Sequence, residues 1–300
     1  MIVPARHQPP LPLERLILRE PPGEEAIPLD VLFVGAGPAG LAGAIRLAQL
    51  IQQDNQNGGN LGEVEIGVLE KADSLGEHNL SGAVVNPRAF RELFPDVEES
   101  EFPFAWQVDK ESVYMLGERG QRRIPTPAEM NNHGNYVASI CEIVRWLGER
   151  AEGLGVNVFT GFPADGLLVE ENRVLGVRTV AGGLDRDGNP GSNYMPAGDV
   201  TASVTVLADG TRSALAQAYL DWQQIGSANP QIYALGVKEL WEVKQPLDRV
   251  IHTMGWPLPK DAFGGSWVYP MGQNLVSLGL VVGLDYRQHT LDVHELTQRF

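Results

Sequence analysis

The sequence has little cysteine, few basic residues and no long hydrophobic run. Cys141 is the single cysteine among 300 residues, so an internal disulfide is excluded and the chain cannot itself supply the thiolates of an iron–sulfur cluster. Lysine and arginine number 23 against 38 aspartates and glutamates, and the formal net charge of −15 argues against a protein that tracks nucleic-acid phosphates. No segment approaches the roughly 18 consecutive apolar residues of a membrane-spanning helix.

What is present is the pattern of a globular α/β protein, with 43% hydrophobic residues. The apolar run 31–34 is bounded by Asp30 and glycines, which predicts a strand buried on both faces of a parallel sheet. A helix is predicted over 38–52 and a second strand over 64–69. The polar segment 53–63 between them is predicted to be an exposed loop.

Later segments alternate between helical and strand patterns. Apolar residues at helical spacing predict a helix over 136–150, and the Gly-, Asp-, Asn- and Pro-rich segment 181–198 is predicted to be a loop or a long hairpin tip. A last helix is predicted from Val293 to the final residue, Phe300, which suggests a truncated chain. The remaining predicted strands are 156–160, a pair within 166–180 joined at Glu171-Asn172, 200–208, 233–240, 266–269 and 275–282.

A glycine-rich motif follows the first predicted strand. It consists of Gly35, Ala36, Gly37, Pro38, Ala39 and Gly40, directly after Val34. The spacing fits the dinucleotide-binding pattern G-x-G-x-x-G between a strand and a helix. Gly35 allows the tight turn, Gly37 allows the backbone to approach a pyrophosphate, and Gly40 allows close packing of helix on strand. The helix N-terminus offers unpaired N–H groups to the phosphates.

Glu70, at the end of the second predicted strand, is the candidate ligand of the ribose hydroxyls. It lies 30 positions after Gly40, compared with roughly 20 in the usual pattern, and the polar loop 53–63 accounts for the excess. An ordinary surface glutamate is the alternative interpretation.

Two further features favour FAD over NAD as the dinucleotide. The pair Glu70-Lys71, followed by Leu75-Gly76, resembles the end of the second strand in flavoprotein oxidoreductases. Asp209-Gly210 resembles the "DG" motif of FAD-dependent hydroxylases, although an Asp-Gly pair is also a common turn. Its place after a predicted strand favours the cofactor-binding interpretation.

Longer strings resemble one family, the electron-transfer flavoprotein:ubiquinone oxidoreductases. The resemblance covers most of the chain from Asp30 to Tyr286, and several strings are uncommon outside this family. The matching segments are 34–50, 80–96, 130–136, 236–243, 252–258, 263–269 and 278–286.

This resemblance implies a Rossmann-like FAD-binding domain of the glutathione-reductase or hydroxylase type with an inserted β-rich quinone-binding domain. We expect an irregular lead-in without secretory or transit features and no iron–sulfur domain in this chain. The expected division is a lead-in 1–29, an FAD-binding domain 30–100 and 130–225, and a quinone-binding domain 101–129 and 226–300.

The family accepts electrons from reduced electron-transfer flavoprotein, carries them through FAD and a four-iron four-sulfur cluster, and reduces ubiquinone at a membrane surface. Carried over by position, the pair Ser81-Gly82 would lie by the flavin and the pair Gly264-Gly265 would contact the quinone. Glycine backbone can approach a flat ring closely, but an ordinary turn between strands is the alternative. Members of the family are roughly twice as long as this chain. The resemblance implies that the ligands of the cluster lie in the half that is missing here.

The resemblance also implies that segment 76–97 dips into the bilayer. Its apolar residues suit interfacial insertion or, alternatively, a protein core; they are Leu80, Val84, Val85, Phe90, Leu93 and Phe94. With no predicted transmembrane helix, we expect a peripheral protein on the cytoplasmic face of a bacterial inner membrane.

His133 and His252 are candidate proton donors to the quinone, although lone histidines are more often structural. Two other functions remain open on the sequence alone. The chain could belong to an FAD-dependent monooxygenase or prenyl reductase, which share the glycine and Asp-Gly motifs, or it could be a non-catalytic fragment that binds FAD weakly or not at all.

Overall fold

The computed structural model describes residues 9–80, 82–229 and 231–300. They divide into two compact units, each built from separate stretches of the chain. The first unit consists of Pro10–Asn79 and Cys141–Gly226, and the second contains Leu80–Ile140 and Ser227–Phe300. These boundaries move 80–100 and 130–140 out of the unit that contains the glycine motif, relative to the division expected from the sequence.

The described residues form helices separated by single strands or by runs of several strands. The helices are α1 (Leu13–Leu16), α2 (Pro38–Gln56), α3 (Arg88–Leu93), α4 (Ile140–Gly153), α5 (Ala214–Trp222) and α6 (Val293–Arg299), with 3-10 turns at Glu99–Glu101 and Ala128–Met130. The strands are β1 (Ile17–Leu18), β2 (Ile27–Val34), β3 (Ile66–Leu69), β4 (Ala83–Val85), β5 (Phe104–Gln107), β6 (Glu111–Gly117), β7 (Gly120–Ile124), β8 (Tyr136–Ala138), β9 (Asn157–Phe159), β10 (Ala164–Glu170), β11 (Arg173–Thr179), β12 (Gly182–Leu184), β13 (Pro190–Met195), β14 (Asp199–Leu207), β15 (Ala234–Glu242), β16 (Val250–Gly255), β17 (Gly264–Pro270) and β18 (Leu275–Gly283).

A seven-stranded sheet forms the centre of the first unit, in the order β1-β10-β11-β14-β2-β3-β9. The strands β14, β2, β3 and β9 run parallel to one another. Leu32 and Val34 of β2 are buried in one hydrophobic cluster with Leu215 and Ala218 of α5, and α2 packs against β2 and β3. The predicted α/β class is confirmed, and β2 lies in the parallel part of a mixed sheet, since β11 is antiparallel to both of its neighbours.

Helix α2 begins where the sequence predicts it. Pro38 occupies its first turn, where a fixed φ and a missing N–H cost nothing, and Leu41, Ala44 and Ile45 form its buried face. The helix continues to Gln56, so the predicted loop 53–63 is wrong in its first turn. Its polar residues are compatible with an exposed helical turn, which needs no apolar side chain.

The prediction of a single helix over 136–150 is also wrong in its first part. Tyr136–Ala138 is strand β8, which pairs with β4 and β5, and the helix begins only at Ile140. A short apolar run fits both helical and strand spacing, and here the tertiary pairing of Val137 decides between them. The lead-in contains α1 and β1, with Leu16 and Ile17 buried, and is therefore not wholly irregular.

Other predictions about the first unit are confirmed. β10 and β11 form a hairpin that turns at Glu171, whose φ is 49°, and Asn172. Segment 181–198 contains the hairpin β12–β13.

The second unit contains a six-stranded sheet in the order β15-β18-β17-β16-β6-β7 and a three-stranded sheet in the order β4-β8-β5. All neighbours in the larger sheet are antiparallel except β16 and β6, which run parallel. Helix α6 buries Val293 and Leu296 against Leu280 and Val282 of β18. β6, β7 and β16 were not predicted, because they carry a histidine, charged residues and exposed polar residues within short runs.

Two phenylalanines of segment 76–97 pack inside the second unit. Phe90 and Phe94 are buried, and the Phe90 ring lies 5.3 Å from that of Phe102 and 5.0 Å from that of Phe104. Leu80, in contrast, is 60% exposed. For the two phenylalanines the core interpretation is confirmed. None of the helices in the described part of the chain is long and apolar enough to cross a membrane.

One ion pair links the start of the first unit to its sheet. Asp199 of β14 is buried and accepts hydrogen bonds from the Nε and Nη2 atoms of Arg178 at 2.8 and 3.0 Å and from the backbone N–H of Gly23 at 2.8 Å. These donors hold the pKa of Asp199 below its ordinary value, and the hydrogen bonds from Arg178 have the largest effect. The aspartate therefore fastens β11 and the lead-in to β14.

We predict that Asp199→Ala lowers the free energy of unfolding by about 2 kcal/mol, because it removes charged hydrogen bonds at a buried site. Chemical denaturation at pH 7 measures this. The matched control is Asp165→Ala, which removes an exposed pair with Arg15 and should change stability little. Equal effects of the two substitutions would contradict the prediction.

The same ion pair should make the free energy of unfolding depend on pH in the acid range. Because the pKa of Asp199 is lowered on folding, its contribution is complete above about pH 4 and is lost as pH falls through the lowered pKa. The difference in stability between wild type and Asp199→Ala should therefore shrink below about pH 4. A difference that stays constant from pH 7 to pH 2 would contradict this.

Candidate functional site

The carboxyl ends of three parallel strands meet at one edge of the first unit's sheet. The backbone N–H of Gly35, just after β2, donates to the carbonyl of Leu69 in β3 at 2.8 Å. The N–H of Ala208, just after β14, donates to the carbonyl of Val34 at 2.9 Å. In open α/β sheets this edge is where ligands bind.

The glycine motif turns at this edge with very little space. Gly35 has a φ of 106°, and a Cβ there would lie 2.5 Å from the carbonyl oxygen of Ala208. A Cβ on Gly40 would collide with the carbonyl oxygen of Gly35. At Gly37, the N-cap of α2, a Cβ would meet nothing within 4 Å. The three glycines thus serve the turn, the close packing and the open approach that their positions predict.

Glu70 holds this turn in place from the end of β3. Its Oε2 atom accepts a hydrogen bond from the N–H of Ala36 at 3.1 Å, and its Oε1 atom accepts one from the N–H of Ala72 at 2.9 Å. It is therefore no ordinary surface glutamate. A carboxylate oxygen can accept more than one hydrogen bond, so these contacts leave capacity for a ribose hydroxyl.

A cavity of about 560 Å³ opens above the strand ends. It brings together most of the residues assigned to the cofactor from the sequence, while Ala36 is buried beneath it and Gly40 packs against the turn. The predicted residues that line the cavity are Val34, Gly35, Gly37, Glu70, Lys71, Asp209 and Gly210. Pro38 and Ala39 form the first turn of α2 beside it.

Two helices begin at this cavity. Gly37 is the N-cap of α2, and Ser213 is the N-cap of α5. The side chain of Ser213 makes no capping hydrogen bond to the first turn of α5. Asp209 accepts a long hydrogen bond of 3.4 Å from the N–H of Ala216, in the first turn of α5. Unpaired N–H groups at helix N-termini favour negatively charged ligands.

Twelve of the lining residues were not assigned to the cofactor from the sequence. His78, Phe162, Thr211 and Arg212 reach the cavity from loops whose course the sequence pattern did not reveal. Arg212 has a φ of 61°, which is uncommon for a residue with a side chain and often marks a functional position. The only sequence signal was its place within the Asp-Gly string.

The residues at the cavity fit a dinucleotide diphosphate. Gly37 leaves room for phosphate oxygens, and two helix N-termini face the same space. Although the chain has a net charge of −15, Lys71, His78 and Arg212 all line this cavity. A ligand that carries two phosphates would be stabilised by this set of groups.

In the second unit, the pair Gly264-Gly265 opens β17. Gly264 has a φ of 152°, and a Cβ there would collide with the carbonyl oxygen of Val281 in the neighbouring strand. A Cβ on Gly265 would lie 2.6 Å from the carbonyl oxygen of Thr253. Neighbouring strands thus require glycine at both positions, and contact with a quinone stays a prediction.

The other predicted flavin neighbours are placed differently. Gly82 belongs to the second unit, where a Cβ would collide with the hydroxyl of Ser277, and its φ is 84°. Ser81 lies outside the described residues. Proximity of either residue to a flavin stays a prediction.

The two candidate histidines have contrasting environments. His133 is exposed in a turn, where its backbone N–H donates to Asn131 at 3.0 Å. The Nε2 atom of His252, in β16, lies 2.7 Å from the hydroxyl of Tyr269 in β17. Among the residues that the structure describes, no group of three or more His, Cys, Asp or Glu side chains could hold a metal ion.

Comparison with known proteins finds similarity to one family. A family model described as "ETF-QO, ubiquinone-binding" matches residues 233–300, most of the second stretch of the second unit. The electron transfer flavoprotein-ubiquinone oxidoreductase of Dictyostelium discoideum, named as mitochondrial, is 39% identical over 286 residues, which cover 94% of this chain and 46% of that protein. The chain spans about half the length of the curated relatives it matches.

Solved structures share the fold at lower identity. A geranylgeranyl bacteriochlorophyll reductase-like protein from Thermoplasma acidophilum superposes with a TM-score of 0.63 and 21% identity, over 92% of this chain and 62% of that one. The flavin-dependent brominase Bmp2 superposes with a TM-score of 0.59 and 14% identity, over 90% of this chain and 60% of that one. These similarities confirm the predicted Rossmann-like fold of the FAD-dependent type.

The glycine motif yields a prediction that separates folding from ligand binding. Gly40→Ala should cost about 3 kcal/mol or prevent folding, because its Cβ collides with backbone. Gly37→Ala should change stability by less than about 1 kcal/mol, since its φ of −73° suits alanine and its Cβ meets open space. Thermal unfolding of both variants without ligand tests this, and equal losses of stability would refute it.

Proposed function

Because the chain belongs to the electron-transfer flavoprotein:ubiquinone oxidoreductase family and spans about half the length of its curated relatives, we propose that it supplies the FAD-binding and ubiquinone-binding parts of such an enzyme. The enzyme would pass electrons from reduced electron-transfer flavoprotein through FAD to ubiquinone. The observation that carries the proposal is the cavity at the glycine motif, on the same chain as a ubiquinone-binding match over 233–300.

We assign FAD to the first unit. Gly37 and the N-termini of α2 and α5 would hold the diphosphate, Glu70 would accept hydrogen bonds from ribose hydroxyls, and Lys71 and Arg212 would balance the phosphate charge. FAD would supply electron transfer in steps of one or two electrons. The protein's own contribution is to bind and orient it.

We assign the quinone to the second unit, where the family model matches. The pair Gly264-Gly265 remains the proposed contact. The contact would be made by its backbone groups, because the space beside both glycines is already occupied by carbonyl oxygens of neighbouring strands. A monooxygenase or prenyl reductase shares the fold, but the ubiquinone-binding match favours the oxidoreductase.

The electron donor and the iron–sulfur cluster have less support from the residues of this chain than FAD and the quinone. With one cysteine, the chain does not fit a four-iron four-sulfur cluster. Electron-transfer flavoprotein is proposed as the donor because the curated relatives carry it in their names. Peripheral attachment to a membrane is proposed because ubiquinone is a lipid. The curated relatives are named as mitochondrial, so the bacterial inner membrane gains no support from them.

The FAD site is tested by spectroscopy on the purified chain. We predict that the chain binds FAD with a shifted flavin absorbance spectrum, and that Glu70→Ala weakens FAD roughly 10- to 100-fold because hydrogen bonds to the turn and the ribose are lost. Glu63→Ala, an exposed neighbour outside the cavity, is the matched control. Equal affinities for the two variants would contradict the assigned site.

The electron path is tested on the same FAD-loaded chain. After anaerobic reduction of the flavin with dithionite, ubiquinone-1 should restore the absorbance of oxidised flavin, whereas NADPH should not reduce the flavin efficiently. A folded, flavin-loaded chain that ubiquinone-1 does not oxidise would sink the proposed function. Efficient reduction by NADPH would favour the monooxygenase or reductase alternative instead.

A further inference from the structure

The strand that begins at the glycine pair also carries one half of a polar pair on the larger sheet of the second unit. The Nε2 atom of His252 lies 2.7 Å from the hydroxyl of Tyr269, and their ring centroids are 5.3 Å apart at an angle of 76°. His252 is directly opposite Trp267 in the register of β16 and β17. The distance and the edge-on rings describe a defined hydrogen bond.

Side chains alternate along a strand, so Gly265, Trp267 and Tyr269 belong to one face of β17. The contact between His252 and Tyr269 places the imidazole on this face as well. The face therefore combines the second glycine of the pair, an indole, a phenol and an imidazole.

The indole on this face is held flat. A Cβ on Gly279 would collide with the ring of Trp267, so the indole occupies the space that this glycine leaves open. The Nε1 atom of Trp267 donates to the hydroxyl of Ser277 at 3.4 Å. The Trp267 and Tyr269 rings lie 6.0 Å apart. These contacts fix the indole beside two hydrogen-bonding groups, and Tyr269 also packs against the cluster of Val108, Val137 and Val250.

The imidazole is incompletely satisfied. Its Nδ1 atom is buried and has no hydrogen-bond partner among the described atoms. Buried polar atoms are nearly always paired, because an unpaired one lowers stability. An unpaired atom that a folded protein retains can therefore point to a function. Burial lowers the pKa of His252, opposed by the negative charge of Glu111, and burial raises the pKa of Tyr269 to about 12.

Glu111, in β6, is the charged group whose field reaches the imidazole among the described residues. Its carboxylate accepts hydrogen bonds from the backbone N–H and the side-chain amide of Asn132, at 3.1 and 3.4 Å. Tyr269 is the other titratable group in contact with His252. One side of the ring thus faces a phenol, and a carboxylate stabilises the protonated ring.

We propose that His252 and Tyr269 form the proton-delivery pair of the quinone site, an assignment that rests on the proposed function. Reduction of a quinone to a quinol takes up two electrons, which the flavin supplies, and two protons. For each proton, the Tyr269 hydroxyl gives its hydrogen to a quinone oxygen and receives one from Nε2 of the protonated His252 ring. The ring is left neutral with its hydrogen on Nδ1, and a proton from solvent at Nε2 restores the imidazolium before the next transfer.

Tyr269→Phe tests the pair, because it removes the hydroxyl and keeps the ring. A first readout needs no flavin: ubiquinone-1 binding, followed by quenching of tryptophan fluorescence, should weaken about 3- to 10-fold when one hydrogen bond is lost. Tyr114→Phe makes the same change on β6 of the same sheet without touching His252, and it should leave affinity unchanged. Equal affinities for wild type and Tyr269→Phe would overturn the assignment of a direct donor.

A second readout uses the FAD-loaded, pre-reduced chain. Oxidation of the flavin by ubiquinone-1 should slow by roughly 10²-fold or more in Tyr269→Phe and in His252→Gln, as expected for loss of a general acid. Because the imidazolium is the stronger acid, the wild-type rate should fall as pH rises through the lowered pKa of His252, below about 6.5. Both variants should lose this inflection, whereas Tyr114→Phe should retain it.

The outcomes separate two failures. If wild type neither binds ubiquinone-1 nor is oxidised by it, the proposed function fails and the pair's role fails with it. If wild type passes electrons to ubiquinone-1 while Tyr269→Phe keeps the wild-type rate and pH profile, the proposed function stands and the assignment of the pair is overturned.

Discussion

The candidate cofactor site depends on one constraint, the close approach of backbone at the glycine turn. Gly40 can lie against the carbonyl of Gly35, and Gly35 against the carbonyl of Ala208, because the approaching glycine has no Cβ in each case. These contacts bring the start of α2 directly onto the ends of β2 and β14. A side chain at Gly35 or Gly40 would push the helix away, and its N–H groups would no longer face the cavity.

The sequence predicts this part of the molecule well because its determinants are local. The glycine spacing, the apolar run before it and the acidic residue after the next strand all lie within 31–70, and the structure brings them together. Asp209 is distant in sequence, but it follows a strand that pairs with β2, so the same sheet edge carries it to the cavity. The loops that bring His78 and Arg212 there have no periodic pattern and could not be placed in advance.

The second unit is harder to predict because its pairing is long-range. β6 and β16 are parallel neighbours although Lys110 and Asp248, which form an ion pair beside them, are separated by 138 positions. β8 is only three residues long, and its pairing with β4 and β5 overrides an apparent helical spacing. The glycines of this unit also say less about a ligand site than those of the glycine motif. Gly82 and Gly264 are required by packing against neighbouring strands, whatever ligand lies nearby.

The chemistry is therefore divided unequally between the two units. The cavity of the first unit is formed by backbone N–H groups, basic side chains and carboxylates, which suit the binding of a charged cofactor whose own ring system carries electrons. The second unit contributes a hydrogen-bonded imidazole and phenol on a face lined by an indole. The proposed reduction of a quinone takes up protons as well as electrons, and the second unit carries the side chains of this pair that can move protons. Neighbouring strands already require both glycines of the pair, so its contact with a quinone stays a prediction, and the chemistry proposed for this face depends on the residues that follow the pair along β17.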